Sequence, residues 1–189
     1  MPSPMPGTYR VRSGWIATLV LGLLLLAASA QAGLRSAELQ VNGLSCPFCA
    51  FGIEKKLLRI DGVRDVEVLL DEGRVAVTFA PQSAATVADL DAAVAKAGFE
   101  LAALRVEADG QLREVDGSRL VSTAEMTFRL AETRDGTTRP VSAETLERLR
   151  QGMAGDDGTV VLSGTVEAFD GAEPTLVLDG AETLARARE

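Results

Sequence analysis

Apolar residues between positions 38 and 104 switch repeatedly between the spacing of a strand and the spacing of a helix. Alternation with polar residues predicts a strand with one side against a core, and recurrence every three or four residues predicts one buried helix face. The resulting order, β-α-β-β-α-β, predicts a ferredoxin-like sandwich with both helices on one face of a four-stranded antiparallel sheet. The predicted elements are strand 38–41, helix 48–60, strands 63–70 and 75–79, helix 87–97 and a strand from 99.

Residues that start and stop helices lie at the ends of these segments. Asp61-Gly62 follows the first helical run and Gly98 follows the second, and glycine readily adopts the left-handed conformation that ends a helix. Thr86 and Asp89 have the spacing of a capping box, with aspartate in place of the usual glutamate or glutamine. Asp71-Glu72-Gly73 separates two strands and predicts a tight turn.

Residues 107–189 differ in character and are predicted to form a small β-rich domain, separate from a first domain at residues 36–106. Asp-Gly pairs, which favour turns, punctuate this part of the chain. The segments between them predict about three strands, a helix and two further strands, the element order of a small OB-like barrel. The pairs begin at Asp109, Asp116, Asp135, Asp157, Asp170 and Asp179.

The elements of this second part follow from the same patterns. Ser142 is the predicted N-cap of its helix, with Leu146, Leu149 and Met153 on one face. The residues after about Thr183 are predicted to be a frayed tail. The strand candidates are residues 124–130, 160–166 and 176–178.

The N-terminal segment has the features of a secretory signal peptide. Two arginines precede an almost unbroken apolar run at residues 15–28, and small residues then offer cleavage after Ala30 or Ala32. A retained membrane anchor is the alternative, but the run is shorter than the roughly 20 residues that a spanning helix needs. We therefore expect residues 1–32 to be a signal peptide, the only membrane association, and the mature protein to be periplasmic or secreted.

The charge of the mature chain excludes one class of partner. Without residues 1–32 the chain holds 17 basic and 27 acidic residues, a net charge of −10, and aromatic residues make up only 4% of the full sequence. Such a surface repels nucleic acid and lacks stacking platforms for bases. No nucleic-acid partner is therefore expected.

Both cysteines of the chain, Cys46 and Cys49, lie three positions apart where the first strand gives way to the first helix, and histidine is absent. A structural disulfide of this spacing would close a very small loop and stabilise the fold little, so a functional dithiol is favoured. Cys49 is expected near the helix N-terminus, where the thiolate form is stabilised, and Lys55 and Lys56 add positive potential.

Two thiolates limit the chemistry that this site can support. Structural zinc and iron–sulfur clusters usually need four cysteine or histidine ligands. A linear or trigonal soft ion, copper(I), silver(I) or mercury(II), is satisfied by two sulfurs. A Ser-His-Asp triad is impossible without histidine. Exchange of a bound ion between thiolates needs no covalent catalysis, so no enzyme is predicted. Met126 and Met153 could supply thioethers, but both lie on apolar faces and are expected in the core.

The segment around the cysteines resembles the heavy-metal-associated domain family, which includes periplasmic mercury-binding proteins, copper chaperones and copper-ATPase N-termini. Gly43-Leu44-Ser45-Cys46-Pro47-Phe48-Cys49 stands where the family has Gly-Met-Thr-Cys-x-x-Cys. Asp61-Gly62-Val63 and Ala97-Gly98-Phe99 match two further motifs of the family. The resemblance covers residues 38–104 and nothing beyond them.

The resemblance implies that Cys46 and Cys49 bind copper(I) or mercury(II) and pass it to a metal transporter or another dithiol protein. It also implies that Leu44 packs under the loop, where the family has methionine, and that Phe99 packs near the metal. Phe99 is equally expected simply as a core residue at the start of the last strand. Phe48 is expected to be exposed, as a partner contact or a neutral loop residue.

Two other functions stay open. Cys-Pro-Phe-Cys is also a glutaredoxin-type string, so a dithiol redox protein is an alternative. A thioredoxin-like fold, however, needs another order of elements and more residues than this segment supplies. The second alternative is an envelope protein-interaction module, in which the β-rich part docks a partner and metal binding is incidental.

Overall fold

The computed structural model describes residues 32–81, 83–151, 159–167 and 173–179. In these ranges the chain forms nine strands, three α-helices and a single 3₁₀ turn at Leu70–Glu72. In chain order the elements are β1 Gly33–Asn42, α1 Pro47–Leu57, β2 Val63–Leu69, β3 Arg74–Phe79, α2 Val87–Lys96, β4 Glu100–Val115, β5 Ser118–Ser122, β6 Thr127–Arg134, β7 Thr137–Pro140, α3 Ala143–Gln151, β8 Thr159–Glu167 and β9 Thr175–Leu178.

The first four strands and two helices form the predicted ferredoxin-like arrangement. The strand order is β2-β3-β1-β4, and all three pairings are antiparallel. The helices pack against each other, α1 against β2 and α2 against β4. Helix α1 ends at Leu57, three residues before the predicted end, because Leu58 to Gly62 form turns instead.

The core of this part lies between the helices and the sheet. Each helix contributes apolar side chains from one face, and the strands contribute alternate residues. Among the fully buried side chains are Leu39, Ile53, Leu57, Val75, Val77, Leu90, Val94 and Leu104. No helix in the described ranges is long and apolar enough to cross a membrane.

The predicted boundary signals are confirmed by local geometry. The Thr86 hydroxyl accepts a hydrogen bond from the Asp89 amide at 3.2 Å, and the Asp89 carboxylate accepts one from the Thr86 amide at 2.9 Å. Gly62, Gly73 and Gly98 all have positive φ angles, of 84°, 61° and 90°. Glycine is the residue that adopts this conformation without steric cost.

Strand β4 is much longer than the sequence predicted, and Asp109-Gly110 lies inside it instead of forming a turn. The strand pairs with β1 from Glu100 to Asp109 and with β8 from Leu104 to Gln111. The Asp109 carboxylate accepts a 2.6 Å hydrogen bond from the guanidinium of Arg35 on β1. The expected boundary between residues 106 and 107 falls in the middle of this continuous strand.

From Leu104 onward the strand pairings form a closed circuit. Strand β4 pairs with β5, β5 with β6, β6 with β9, β9 with β8, and β8 again with β4. The β6–β9 pairing is parallel and the other four are antiparallel. Short strand β7 adds to β6, and α3 follows it before β8. Phe128, Leu130, Leu162 and Leu176 are buried in this part.

Two of the predicted Asp-Gly turns are confirmed as two-residue hairpins. Asp116-Gly117 joins β4 to β5 and Asp135-Gly136 joins β6 to β7, and all four residues have positive φ angles. Asp179 follows β9, and its carboxylate forms a 3.0 Å ion pair with Arg105. The predictions that involve Asp157, Asp170, Gly180, Met153 and the tail after Thr183 lie outside the described residues.

Helix α3 begins where predicted and is tied to β6 by a carboxylate. The Ser142 hydroxyl accepts a hydrogen bond from the Thr145 amide at 3.3 Å, as an N-cap does. The Glu132 carboxylate accepts hydrogen bonds from the Thr145 hydroxyl at 2.5 Å and from the Ser142 amide at 3.3 Å. The Thr145 hydrogen bond, followed by those from Ser142, lowers the pKa of Glu132.

We predict that Gly110→Ala destabilises the protein by about 1–3 kcal/mol. A Cβ at this position would overlap Cγ1 of buried Val121 and lie 3.0 Å from the Ser122 carbonyl oxygen. The measurement is urea-induced unfolding followed by circular dichroism. Gly52→Ala is the matched control, because nothing lies within 4 Å of its Cβ, and helix propensity should leave it unchanged or stabilise it by about 1 kcal/mol. A Gly110→Ala protein as stable as the parent would contradict the crowding argument.

Candidate metal centre

The loop that carries the cysteines joins the end of β1 to the start of α1. Gly43 turns the chain with a φ of 78°, and Leu44 then inserts its side chain into the core with 4% exposure. This burial agrees with the expectation from the family resemblance that leucine packs under the loop. The apolar anchor holds the residues that follow at the surface.

Cys46 is the N-cap of α1, and Pro47 is the first helical residue. Proline suits this position because the amide at the first helical position has no partner within the helix. The Cys46 sulfur accepts a hydrogen bond from the Cys49 amide at 3.1 Å. Sulfur therefore occupies the place of the serine or aspartate oxygen in an ordinary cap.

The structure brings the two predicted site residues together. Cys46 and Cys49 are joined by a disulfide, with Cα atoms 5.1 Å apart, and both side chains are half-buried. Because the two sulfurs are neighbours, both can bind the same ion after reduction. Cys49 lies in the first turn of the helix, as predicted, and packs against the core.

Sequence reasoning assigned the stabilised thiolate to Cys49 and missed the role of Cys46 as the cap. The positive end of the helix and the Cys49 amide both act on the Cys46 sulfur. The signal was available in the sequence, since proline directly after Cys46 marks that cysteine as an N-cap. Both sulfurs thus lie where negative charge is favoured.

The residues around the dithiol differ sharply in exposure. Phe48, between the cysteines, is 90% exposed as predicted, and Phe51 is 57% exposed with the Lys55 ammonium 4.7 Å from its ring centre. Phe99 is half-buried and packs against the core, in agreement with the simpler of its two expected roles. Met126 also packs against the core.

The donors that the described part of the chain can offer an ion are limited. Within it, no group of three or more cysteine, aspartate or glutamate side chains is arranged to hold a metal. The donor set of the loop is therefore two sulfurs. That set suits a soft ion with a low coordination number and does not suit tetrahedral structural zinc.

Comparison with known proteins agrees with this geometry. The family model of the heavy-metal-associated domain matches residues 38–100. The copper chaperone CopZ of Bacillus subtilis is 36% identical over 64 residues, which make up 34% of this chain and 91% of CopZ. Through this segment the chain belongs to the heavy-metal-associated domain family, whose members bind copper and other heavy metals.

Two further similarities are confined to part of the chain. The copper-exporting P-type ATPase of Bacillus subtilis is 35% identical over 92 residues, 49% of this chain, and the match spans only 11% of the ATPase. Oxidized MerP from Ralstonia metallidurans CH34 is 28% identical with a TM-score of 0.33, over 36% of this chain and 93% of MerP.

We predict that Cys46 of the reduced protein reacts with iodoacetamide faster than Cys49. The Cys46 thiolate accepts an amide hydrogen bond at the helix end, whereas Cys49 packs against the core. Mass mapping of peptides after limited alkylation measures the ratio, and the single variants Cys46→Ser and Cys49→Ser serve as controls. Equal rates, or faster labelling of Cys49, would show that the cap does not activate Cys46.

Proposed function

We propose that this protein is an exported carrier of a soft metal ion, copper(I) in preference to mercury(II), and that Cys46 and Cys49 hold the ion. The observation that carries the proposal is the position of both sulfurs at the start of α1, in a segment that matches most of a copper chaperone. Copper(I) is favoured because two of the matched relatives are a copper-exporting ATPase and a copper chaperone. Mercury(II) remains the alternative because it prefers the same two-sulfur donor set.

Export is part of the proposal. The support is the sequence of residues 1–32, which has the charged, apolar and small-residue regions of a secretory signal. Residues 1–31 lie outside the described residues. The protein would then act in the periplasm or outside the cell.

Delivery is proposed to proceed by exchange of ligands. A thiolate of a partner dithiol attacks the bound ion, and one of the two cysteine thiolates leaves, which gives a shared-thiolate intermediate. The ion then leaves as the second partner thiolate replaces the other cysteine. The partner would be a metal transporter or another dithiol protein. No covalent bond of a substrate is made or broken, so the protein is not proposed to be an enzyme.

The β-rich part is proposed to be an OB-like barrel. Support comes from the closed pairing order β4-β5-β6-β9-β8 and from the helix between the third and fourth of these strands in chain order. We propose that it acts as a rigid extension of the metal-binding part, with which it shares β4. A role in binding an envelope partner is compatible with this arrangement.

The disulfide between Cys46 and Cys49 favours a second candidate function, dithiol redox exchange. A disulfide offers no thiolate, so metal binding requires prior reduction of this bond by an electron donor. Disulfide exchange also uses a cysteine pair at the N-terminus of a helix. The two functions differ in what the reduced protein does when a soft ion is present.

We predict that the reduced mature protein binds one copper(I) per chain in competition with a chelator of known affinity. The double variant Cys46→Ser/Cys49→Ser should bind copper(I) more than about 100-fold more weakly. Mutation of a residue that only hydrogen-bonds to a metal ligand already lowers metal affinity by about 10–100-fold. Mercury(II) and zinc(II) titrations rank the ions, and zinc(II) should bind more weakly than copper(I).

Serine keeps the size and capping ability of cysteine, so the double variant controls for folding. Equal copper(I) uptake by the wild type and this variant would refute the carrier proposal. Absent copper(I) binding, together with rapid reduction of a model disulfide, would support the redox candidate instead.

A further inference from the structure

Strand β2 is the open edge of the ferredoxin-like part of the sheet. The sheet order begins β2-β3-β1-β4, and in the described ranges no strand pairs with the outer edge of β2. The opposite edge of this four-stranded part, on β4, is covered by β8. An open edge presents backbone N–H and C=O groups that can pair with another chain. A further strand can therefore join the sheet at β2.

The hydrogen bonds of the sheet show which backbone groups of β2 point outward. The Val41 amide donates to the Gly73 carbonyl at 2.9 Å. Because hydrogen-bonded pairs alternate along antiparallel strands, the odd-numbered residues from Gly73 onward bond to β1 and the even-numbered ones bond to β2. Glu67 lies opposite an even-numbered residue of β3 and bonds to it. Its neighbours Val66 and Val68 therefore turn their N–H and C=O groups to the open edge.

The side chains of β2 differ between the two faces of the sheet. Val66 and Val68 are half-buried and pack against the core on the side of the helices. Asp65 and Glu67 lie on the other face and are exposed. In the part of the chain that the structure describes, neither carboxylate forms an ion pair. The open edge thus combines unpaired carboxylates on one face with valines on the other.

The charges of β2 disfavour its pairing with a second copy of itself. Because side chains alternate between faces, a symmetric antiparallel pair is centred on one residue and not between two residues. Centring on Val66 places Asp65 opposite Glu67 of the copy, and centring on Asp65 or Glu67 places that residue opposite itself. Centring on Val68 places Asp65 opposite Asp71. Like charges that lie directly opposite destabilise a strand pair, so a strand with positive charges is the better partner.

We propose that the outer edge of β2 binds an extended segment of a partner protein in which basic residues alternate with β-branched apolar residues. The segment runs antiparallel to β2 and exchanges backbone hydrogen bonds with Val66 and Val68. Its basic side chains lie opposite Asp65 and Glu67, and its apolar side chains continue the valine face. In such strand addition, backbone hydrogen bonds give affinity and alternate side chains give specificity.

This binding site is separate from the dithiol. It uses backbone groups and side chains of β2, whereas Cys46 and Cys49 belong to the loop before α1 and to its first turn. The inference therefore goes beyond the carrier function and does not require a bound ion. Through the β2 edge the protein holds a partner in both the metal-loaded and the metal-free state.

The probe is a short capped peptide in which lysine alternates with valine, titrated by NMR into the reduced, isotope-labelled mature protein. We expect it to shift the amide signals of residues 63–69 and to slow hydrogen exchange of the Val66 and Val68 amides by about tenfold or more. Added salt should weaken its binding. A peptide with glutamate in place of lysine should bind much more weakly.

Two N-methylated forms of the lysine–valine peptide test the backbone pattern. In the proposed pairing the valines of the peptide lie opposite Val66 and Val68, so their N–H groups point to β2 and those of the lysines point away. Methylation of the valine amides should therefore abolish binding. Methylation of the lysine amides should weaken binding much less, although the two peptides have the same composition.

Matched variants test the charges of the edge. Asp65→Lys/Glu67→Lys should weaken binding of the lysine–valine peptide by about tenfold or more and should allow the glutamate–valine peptide to bind. Glu114→Lys/Glu125→Lys makes the same charge change at exposed positions elsewhere and should alter binding much less. Copper(I) affinity should be unchanged in both variants, because neither pair contains a proposed ligand, and it also shows that the variants are folded.

Three results would overturn the proposed strand addition. These are equal binding of the two N-methylated peptides, equal loss of binding in the two double variants, and protection of the Val66 and Val68 amides that rises with protein concentration in the absence of peptide. The last result would show that a second copy of the chain occupies the edge. Wild-type protein that binds the lysine–valine peptide as expected but binds no copper(I) would refute the carrier function and support the β2 site.

Discussion

The structure depends on one strand, β4, which pairs with different partners along its two edges. Its 16 residues exceed the 3–10 that are usual for a strand. One edge is hydrogen-bonded first to β1 and then to β5, and the other edge is hydrogen-bonded to β8. In the sheet order β2-β3-β1-β4 this strand would be an exposed edge, and here β8 covers it. The metal-binding part and the β-rich part are therefore joined by a shared sheet and not by a linker.

This shared strand also fixes where the dithiol lies. In the pairing of β1 with β4, Asn42 lies opposite Glu100 and Gly33 opposite Asp109. At about 3.3 Å per residue, these two ends are about 30 Å apart. The cysteine loop follows Asn42, whereas β4 leaves β1 for β5 beyond Asp109. The dithiol is thus held on a rigid scaffold at the end far from that crossing, with α1 beside it.

Local patterns were enough to predict the elements around the site. The capping residues Thr86 and Ser142 and the apolar rhythm act within a few residues, so the sequence shows them directly. The turn predicted at Asp109-Gly110 was wrong, because the residues that keep this pair inside a strand are distant in the sequence. Arg35, which binds Asp109, is 74 residues away, and Val121 crowds Gly110 only after β5 folds back. The parallel pairing of β6 with β9 could not be predicted either, because the local pattern of a strand does not indicate which other strand it pairs with. The cap at Cys46, in contrast, was readable from the proline after it.

We propose that two sulfurs alone hold the ion at the start of α1. The most direct measurement is the copper X-ray absorption spectrum of the reduced mature protein loaded with one copper(I) per chain. We expect a first shell of two sulfur atoms with no nitrogen or oxygen. A shell containing nitrogen or oxygen, or the same spectrum from the Cys46→Ser/Cys49→Ser protein, would contradict it.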